Sequence, residues 1–301
     1  MRTIGALGTE TMNPQWNGLD CMETADIVEL MATENQRMMS CILDEKDGIA
    51  AVIDAISRRY NAGGRIIYMG AGTSGRLGVI DAAECPPTFR VDPERIKGVI
   101  AGGYGAMVSA VEGIEDSVEQ GANDLIQLMP RQEDVVIGVS ASGRTPYCIG
   151  ALRYGRSVGA LTVAVCNNID SEMGAEAEMK IELETGPEII AGSTRLKAAS
   201  AQKIVLNMIS SITMIRAGNV YKNLMVEMKA TNNKLADRAA RIFMEATGAE
   251  DRARAEDVLS AAKGDLKTAI VMELCRVNAE VAEKALVSAG RNVHKAIAQL
   301  L

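Results

Sequence analysis

Between Met22 and about Asn61 apolar residues recur at helical spacing: Ile27, Leu30 and Met31, then Ile49, Val52, Ile53 and Ile56. That period predicts helices leading into the main domain. The run "NAGG" at 61–64 interrupts it. Short β-rich runs then alternate with helical stretches, at 65–70, 96–102, 134–142, 161–167 and 179–185. Several of these runs are continuously apolar, as expected of strands buried on both faces. Strand–helix alternation implies right-handed crossovers, so the predicted fold is α/β with a doubly wound, parallel, five-stranded sheet. A long helix is predicted over 195–217. Ile204, Met208, Ile212 and Ile215 form its apolar stripe, widened by Val205 and Ile209. Such breadth suits a core helix, or one that packs on a second subunit.

Three regions are expected: an irregular segment with helices at 1–60, a sheet domain at 61–234 and a small helical domain at 235–301. The last holds a weak internal repeat. "AEDVLSAAKGDLKTAI" (255–270) and "AEKALVSAGRNVHKAI" (282–297) align without gaps at a 27-residue offset. Ala255/Ala282, Glu256/Glu283, Leu259/Leu286, Ala262/Ala289 and Ile270/Ile297 coincide. The match reads either as two related helical hairpins or as chance similarity between Ala-rich helices.

Composition narrows the function. The 301 residues carry a net charge of -7, and only 3% are aromatic. Nucleic-acid binding calls for a basic face and often for aromatic platforms, so it is disfavoured. The six cysteines are scattered without a C-x-x-C pair. They read as reduced, mostly buried thiols of a cytoplasmic protein. The first residues lack the apolar core of a signal peptide, and no apolar run approaches membrane-spanning length.

The stretch "GAGTSGR" (70–76) follows the first strand and fits G-x-G-x-x-G literally. A dinucleotide site also needs an acidic residue at the end of the second strand, where this chain has "VIAGGYG" (99–105). A Walker loop is excluded because no Gly-Lys-Ser/Thr follows. Instead Thr73 and Ser74 stand where a helix begins, and free amides and the helix dipole favour an anion there. A tight capped turn is the structural alternative. A second loop, "SASGRTP" (140–146), repeats the chemistry after the third strand with Ser140, Ser142 and Thr145 around Gly143. With strand order 2-1-3-4-5, the two loops flank the topological switch point, where doubly wound sheets bind ligands. The pair predicts a sugar-phosphate site and no NAD.

These two loops resemble the sugar isomerase (SIS) domain, which binds phosphosugars. "LGTE" (7–10), "GAGTSGRLGVIDAAECPPTF" (70–89), "AVEGIEDS" (110–117), "SASGRTPY" (140–147) and "GPEIIAGSTRLKAASAQKIVLN" (186–207) resemble the N-acetylmuramic acid 6-phosphate etherases along nearly the whole chain. The last segment is also similar to glucokinase regulatory protein. The resemblance implies cleavage of the D-lactyl ether, giving N-acetylglucosamine 6-phosphate and D-lactate. In the open-chain sugar the ether at carbon 3 is β to the aldehyde. Loss of the carbon 2 proton therefore lets lactate leave, and water then adds. This route needs a general acid and a general base, and no metal or redox cofactor.

The lone histidine, His294, lies in the distal tail and reads as a packing or surface residue. Carboxylates must then move the protons. On sequence alone Glu84, in "AECPP", and Glu115, in "EGIEDS", are as readily solvated helix residues. The resemblance makes Glu84 the acid for departing lactate and Glu115 the base at carbon 2, an assignment that can also be swapped. A donor role for Glu84 requires burial or nearby negative charge. Arg76, Arg144, Arg195 and Lys197 are the candidate partners for phosphate and lactyl carboxylate. Glu188 is a candidate for sugar hydroxyls; Ser193 and Thr194 either touch substrate or cap the long helix. The resemblance further implies a homodimer with sites near the interface. A phosphosugar isomerase and a non-catalytic phosphosugar sensor are the rival readings.

Overall fold

The computed structural model describes residues 4–227 and 233–301. Residues 1–3 and 228–232, which fall in the expected first and second regions, lie outside the described residues. Short 3₁₀ turns cover the start of the chain, and two helices follow, α1 (Thr24–Asp44) and α2 (Lys46–Asn61). The alternating part then runs β1 (Ile66–Gly70), α3 (Gly72–Phe89), β2 (Ile96–Ile100), α4 (Gly105–Val108), α5 (Val118–Gln127), β3 (Val135–Ser140), α6 (Pro146–Ser157), β4 (Leu161–Cys166), α7 (Glu172–Glu176), β5 (Met179–Glu182) and α8 (Lys197–Arg216). A two-stranded ribbon, β6 (Val220–Tyr221) with β7 (Leu224–Met225), precedes five helices. These are α9 (Asn233–Thr247), α10 (Arg252–Ala261), α11 (Leu266–Cys275), α12 (Ala279–Ser288) and α13 (Val293–Leu300).

The five strands β1 to β5 form one sheet in the order β2-β1-β3-β4-β5, every pairing parallel. Every residue of β1, β3 and β4 is buried, which is why their apolar runs do not alternate. The sheet is therefore doubly wound, with its switch point between β1 and β3.

Two compact units divide the contacts: Met1–Glu84 with Pro93–Ser210, and Cys85–Asp92 with Ser211–Leu301. In the first, polar groups pin the elements around the sheet. Asp81 is buried and accepts hydrogen bonds from Tyr68 (2.9 Å), Asn207 (2.7 Å) and Ser210 (3.0 Å). Burial pushes its carboxyl up, while those donors partly offset the cost of burial.

One boundary departs from expectation. "AECPP" reads as a helix end, yet α3 continues through Pro86 and Pro87 to Phe89. Its last turn is closed by the Arg90 amide on the Pro86 carbonyl, at 2.8 Å.

In the second unit the repeat is structural. The bounds of α10 and α12 differ by the same 27-residue offset as the sequences. Their N-caps correspond: Asp251 accepts from the Ala253 amide and Asn278 from the Val281 amide. The caps of the following helices, Asp265 and Asn292, correspond too. Between the helices the Gly264 amide bonds the Leu259 carbonyl, and the Arg291 amide bonds the Leu286 carbonyl. Caps, turns and the buried positions Ala255/Ala282, Leu259/Leu286, Ala262/Ala289, Leu266/Val293 and Ala269/Ala296 keep one register, so these are two related hairpins. Leu259, Leu286 and Phe243 lie in their common core. The exposed His294 packs its ring 4.6 Å from that of Tyr221, a packing role.

Candidate active site

Chemistry gathers at the C-terminal ends of β1 and β3. After β1 the chain turns at once into α3, and the turn is closed by two glycines in mutual contact. A Cβ on Gly75 would sit 2.5 Å from the Gly70 carbonyl oxygen, and one on Gly70 would sit 2.8 Å from the Gly75 amide nitrogen. Glycine at both positions is thus a packing requirement. It brings Thr73 and Ser74 to the rim at the start of the helix.

The loop after β3 is equally tight. Gly143 takes φ +71°, and a Cβ there would lie 2.5 Å from the Ser171 Cβ. The fold-back clusters three hydroxyls. Ser140 Oγ lies 2.7 Å from Thr145 Oγ1 and 3.2 Å from Ser142 Oγ. It also accepts from the Gly143 amide at 3.2 Å.

A cavity of about 410 Å³ lies between these loops. That volume falls within the range of small-molecule sites. Thr73, Ser74, Ser140, Ser142 and Thr145 line it, and so does Glu115. Glu115 stands on the single turn Ile114–Asp116, which Ser117 follows as the N-cap of α5. Two acidic lining groups lay outside the expected site set, Glu10 and Glu112, and Thr194, one of the two residues expected either to touch substrate or to cap α8, lines the cavity as well.

Glu10 reaches the cavity because its neighbour is clamped. The Thr9 amide donates to Asn168 Oδ1 (3.3 Å), while Asn168 Nδ2 donates to Thr9 Oγ1 (2.9 Å) and the Ala141 carbonyl (3.0 Å). Asn168 thereby fastens the "LGTE" segment to the Ser140–Ser142 loop. The motif itself was visible in the sequence; its destination rests on a contact between residues 159 positions apart.

Other candidates lie elsewhere. Glu84 is exposed and, among the described residues, does not belong to the cavity lining. Burial within one chain therefore does not supply what a proton donor needs. Glu188 is 2% exposed, and its carboxylate accepts from the Lys197 (2.9 Å) and Ala198 (2.8 Å) amides at the start of α8. The expected sugar-binding carboxylate is thus the helix cap, and Ser193 does not line the cavity. Lys197 is buried and paired with Glu34 at 2.8 Å, with its ammonium over the Trp16 ring at 5.9 Å. Arg144 bridges to Glu172 at 2.6 Å, and Arg195 is exposed.

Arg76 is the one expected cation found among the lining residues. Its guanidinium donates to the Met107 (3.2 Å) and Ser109 (3.4 Å) carbonyls. Among the described residues, no helix is long and apolar enough to cross a membrane.

A parallel sheet in the order 2-1-3-4-5, with hydroxyl loops lining one cavity at the switch point, is the architecture of a SIS domain. Residues 116–211 match the SIS domain family, and residues 48–156 match the glucokinase regulatory protein N-terminal SIS domain.

The kinship extends along the whole chain. It is 49% identical to the N-acetylmuramic acid 6-phosphate etherase of Streptomyces coelicolor, over 99% of this chain and 96% of that one. It is likewise 49% identical to the N-acetylmuramic acid 6-phosphate etherase 2 of Lactiplantibacillus plantarum, over 97% and 98%. Against the Salmonella agona etherase the identity is also 49%, over 94% and 95%. The chain belongs to the N-acetylmuramic acid 6-phosphate etherase family.

Proposed function

We propose that this protein is a carbon–oxygen lyase that cleaves the D-lactyl ether of N-acetylmuramic acid 6-phosphate in the cytoplasm, in the recycling of cell-wall sugar. The observation that carries the reading is Glu115 facing the same cavity as Ser140, Ser142 and Thr145, in a chain related to etherases along its length. The hydroxyl loops seat the 6-phosphate, and the open-chain sugar extends toward Glu115. Glu115 removes the proton from carbon 2, the bond between carbon 3 and the ether oxygen breaks, and lactate departs. Water adds to the unsaturated aldehyde by the reverse proton transfers.

The departing alkoxide needs an acid. Glu84 lies off the cavity of its own chain and is exposed, which favours a homodimer in which Glu84 of a second copy completes each site. In such a dimer Glu84 would stand beside the bound substrate, within reach of the departing oxygen.

The test of the reaction is incubation with N-acetylmuramic acid 6-phosphate in oxygen-18 water. D-lactate should be released, with the label at carbon 3 of N-acetylglucosamine 6-phosphate; label in the lactate hydroxyl would exclude elimination. An isomerase or a sensor would release no lactate. Complementation tests the dimer. Inactive Glu84→Gln and Glu115→Gln proteins, mixed and allowed to exchange subunits, should recover about a quarter of wild-type activity, because a two-fold mixed dimer keeps one intact site. No recovery after demonstrated exchange would place both glutamates in one chain's site.

A further inference from the structure

Carboxylates near the cavity loops are mostly taken up by the protein itself. Glu188 holds the Lys197 and Ala198 amides, Glu172 pairs with Arg144, and Glu182 accepts from the Asp170 (3.1 Å) and Ser171 (2.9 Å) amides. The three acidic residues of the cavity lining, Glu10, Glu112 and Glu115, differ. Among the described residues, none of their carboxylates has a hydrogen-bond or ion-pair partner. Glu115 is the base of the reaction given above and Glu112 is exposed, whereas Glu10 is partly buried and has no role so far.

Glu10 is wedged between two loops. Asn168 fastens Thr9, itself fully buried, to the Ala141 carbonyl and approaches the Ser142 carbonyl at 3.5 Å. On its other side the carboxylate rests against the 186–194 loop: a Cβ on Gly192, at φ +75°, would stand 3.5 Å from Glu10 Oε2. The Gly192 carbonyl in turn takes the Thr194 amide at 3.1 Å, and Thr194 lines the cavity. The fold thus holds a carboxylate at a set place on the cavity wall and leaves it to find its donors in a ligand.

A carboxylate accepts hydrogen bonds and gives none. It repels the phosphate and carboxylate of a ligand and is matched by neutral O–H groups. Glu10 directly follows the residue fastened to the Ser140–Ser142 loop, one of the two loops that seat the phosphate, while Glu115 comes from the Ile114–Asp116 turn to carbon 2. Glu10 therefore faces the half of the sugar next to the phosphate-bearing carbon, where carbons 4 and 5 stand. The carbon 5 oxygen is an ether in the closed ring and a hydroxyl only in the open chain.

We infer, on the phosphosugar reading given above, that Glu10 is a substrate-binding residue that accepts hydrogen bonds from the hydroxyls at carbons 4 and 5. By taking the second of these it binds the open chain more tightly than the ring, and so favours the form from which lactate leaves.

Three probes test this by calorimetric titration: glucitol 6-phosphate, an open chain; 1,5-anhydroglucitol 6-phosphate, a locked ring without a carbon 5 hydroxyl; and inorganic phosphate. Glu10→Ala should weaken glucitol 6-phosphate by about a hundredfold, for two charged hydrogen bonds, and the locked ring by about tenfold, for one. Inorganic phosphate should stay within about twofold of wild type. Glu10→Gln, which keeps an acceptor oxygen without the charge, should lie between wild type and Glu10→Ala for glucitol 6-phosphate. Equal weakening of all three probes would reduce Glu10 to a support for its loop, and equal weakening of the two sugar phosphates would remove the choice of the open chain. Either result, or no weakening at all, would overturn the inference while the phosphosugar site stands. Failure of wild-type protein to bind any of the probes would instead remove the phosphosugar reading, and this inference with it.

Discussion

The two ends of strand β3 are built for opposite purposes. Just before it, at the N-terminal edge of the sheet, Asp134 is fully buried. It accepts from the Arg65 amide (2.8 Å), Arg65 Nε (3.1 Å), Arg65 Nη2 (2.6 Å) and the Arg131 amide (2.9 Å). Burial alone would raise this carboxyl, but the Arg65 hydrogen bonds and the two amides outweigh it and hold it below the usual carboxylate range. At the C-terminal edge Ser140 ends the strand in a hydroxyl cluster with a proton to spare. The saturated network fixes β1 against β3; the unsaturated one is free to take a ligand. Stability and binding are thus separated along one strand, and substitutions at its two ends should not share a phenotype.

The largest effect is expected at the C-terminal side. Glu115→Gln should lower lactate release by about 10²–10⁴-fold, the range for loss of a general acid or base, with an unchanged melting temperature. Glu84→Gln should also stop lactate release, yet keep exchange of the carbon 2 proton with deuterated solvent. Exchange retained in Glu115→Gln and lost in Glu84→Gln would reverse the two roles.

At the other edge the sign of the comparison changes. Asp134→Ala removes the buried partner of the half-buried Arg65 and of two backbone amides, and should cost about 3–5 kcal/mol of stability in denaturant titration. KM at a temperature where the variant is folded should stay at the wild-type value. A raised KM would show that the two ends are coupled.

Ser142→Ala is the mirror image. It should weaken N-acetylglucosamine 6-phosphate by about 1–3 kcal/mol, while the melting temperature stays near that of wild type.

A smaller effect concerns acid. An unfolded Asp titrates near about 3.9, and the folded Asp134 titrates below its ordinary value. Its contribution is therefore fully present above the unfolded value and is lost as pH falls through the folded one. Denaturation midpoints measured from pH 6 downward should fall for wild type and fall less steeply for Asp134→Asn. The smallest effect expected is none: chelators and omission of NAD should leave activity unchanged, and inactivation by a chelator with rescue by a divalent ion would contradict the two-glutamate chemistry.

What could be read from the chain alone follows the range of the forces involved. The strands were legible because both-face burial writes continuous apolar runs such as Ile66–Met69 and Val135–Val139, whereas their order, only supposed from the chain, comes from the pairing itself. The hydroxyl loops were legible because their residues are local to strand ends. Glu10 escaped because the approach of the "LGTE" segment depends on the distant Asn168. Glu188 and Lys197 show a different limit of the chain alone. Polar residues inside a motif suggest ligand contact, but one caps α8 and the other is neutralised by Glu34. Glu84 was read as ending its helix, and α3 carries on past it. No local pattern announces that a carboxylate will face outward.

The contact between Gly70 and Gly75 has a consequence for how glycine signatures are interpreted. The spacing G-x-G-x-x-G is commonly taken as an address label for a nucleotide cofactor. Here two of its three glycines are accounted for by the clearance between a strand end and the first turn of a helix, whatever ligand lies beyond. Such a signature is necessary for a certain joint and silent about its cargo. The discriminating information sits in the letters between the glycines and in the second loop, so an evolutionary exchange of cargo can leave the hinge untouched.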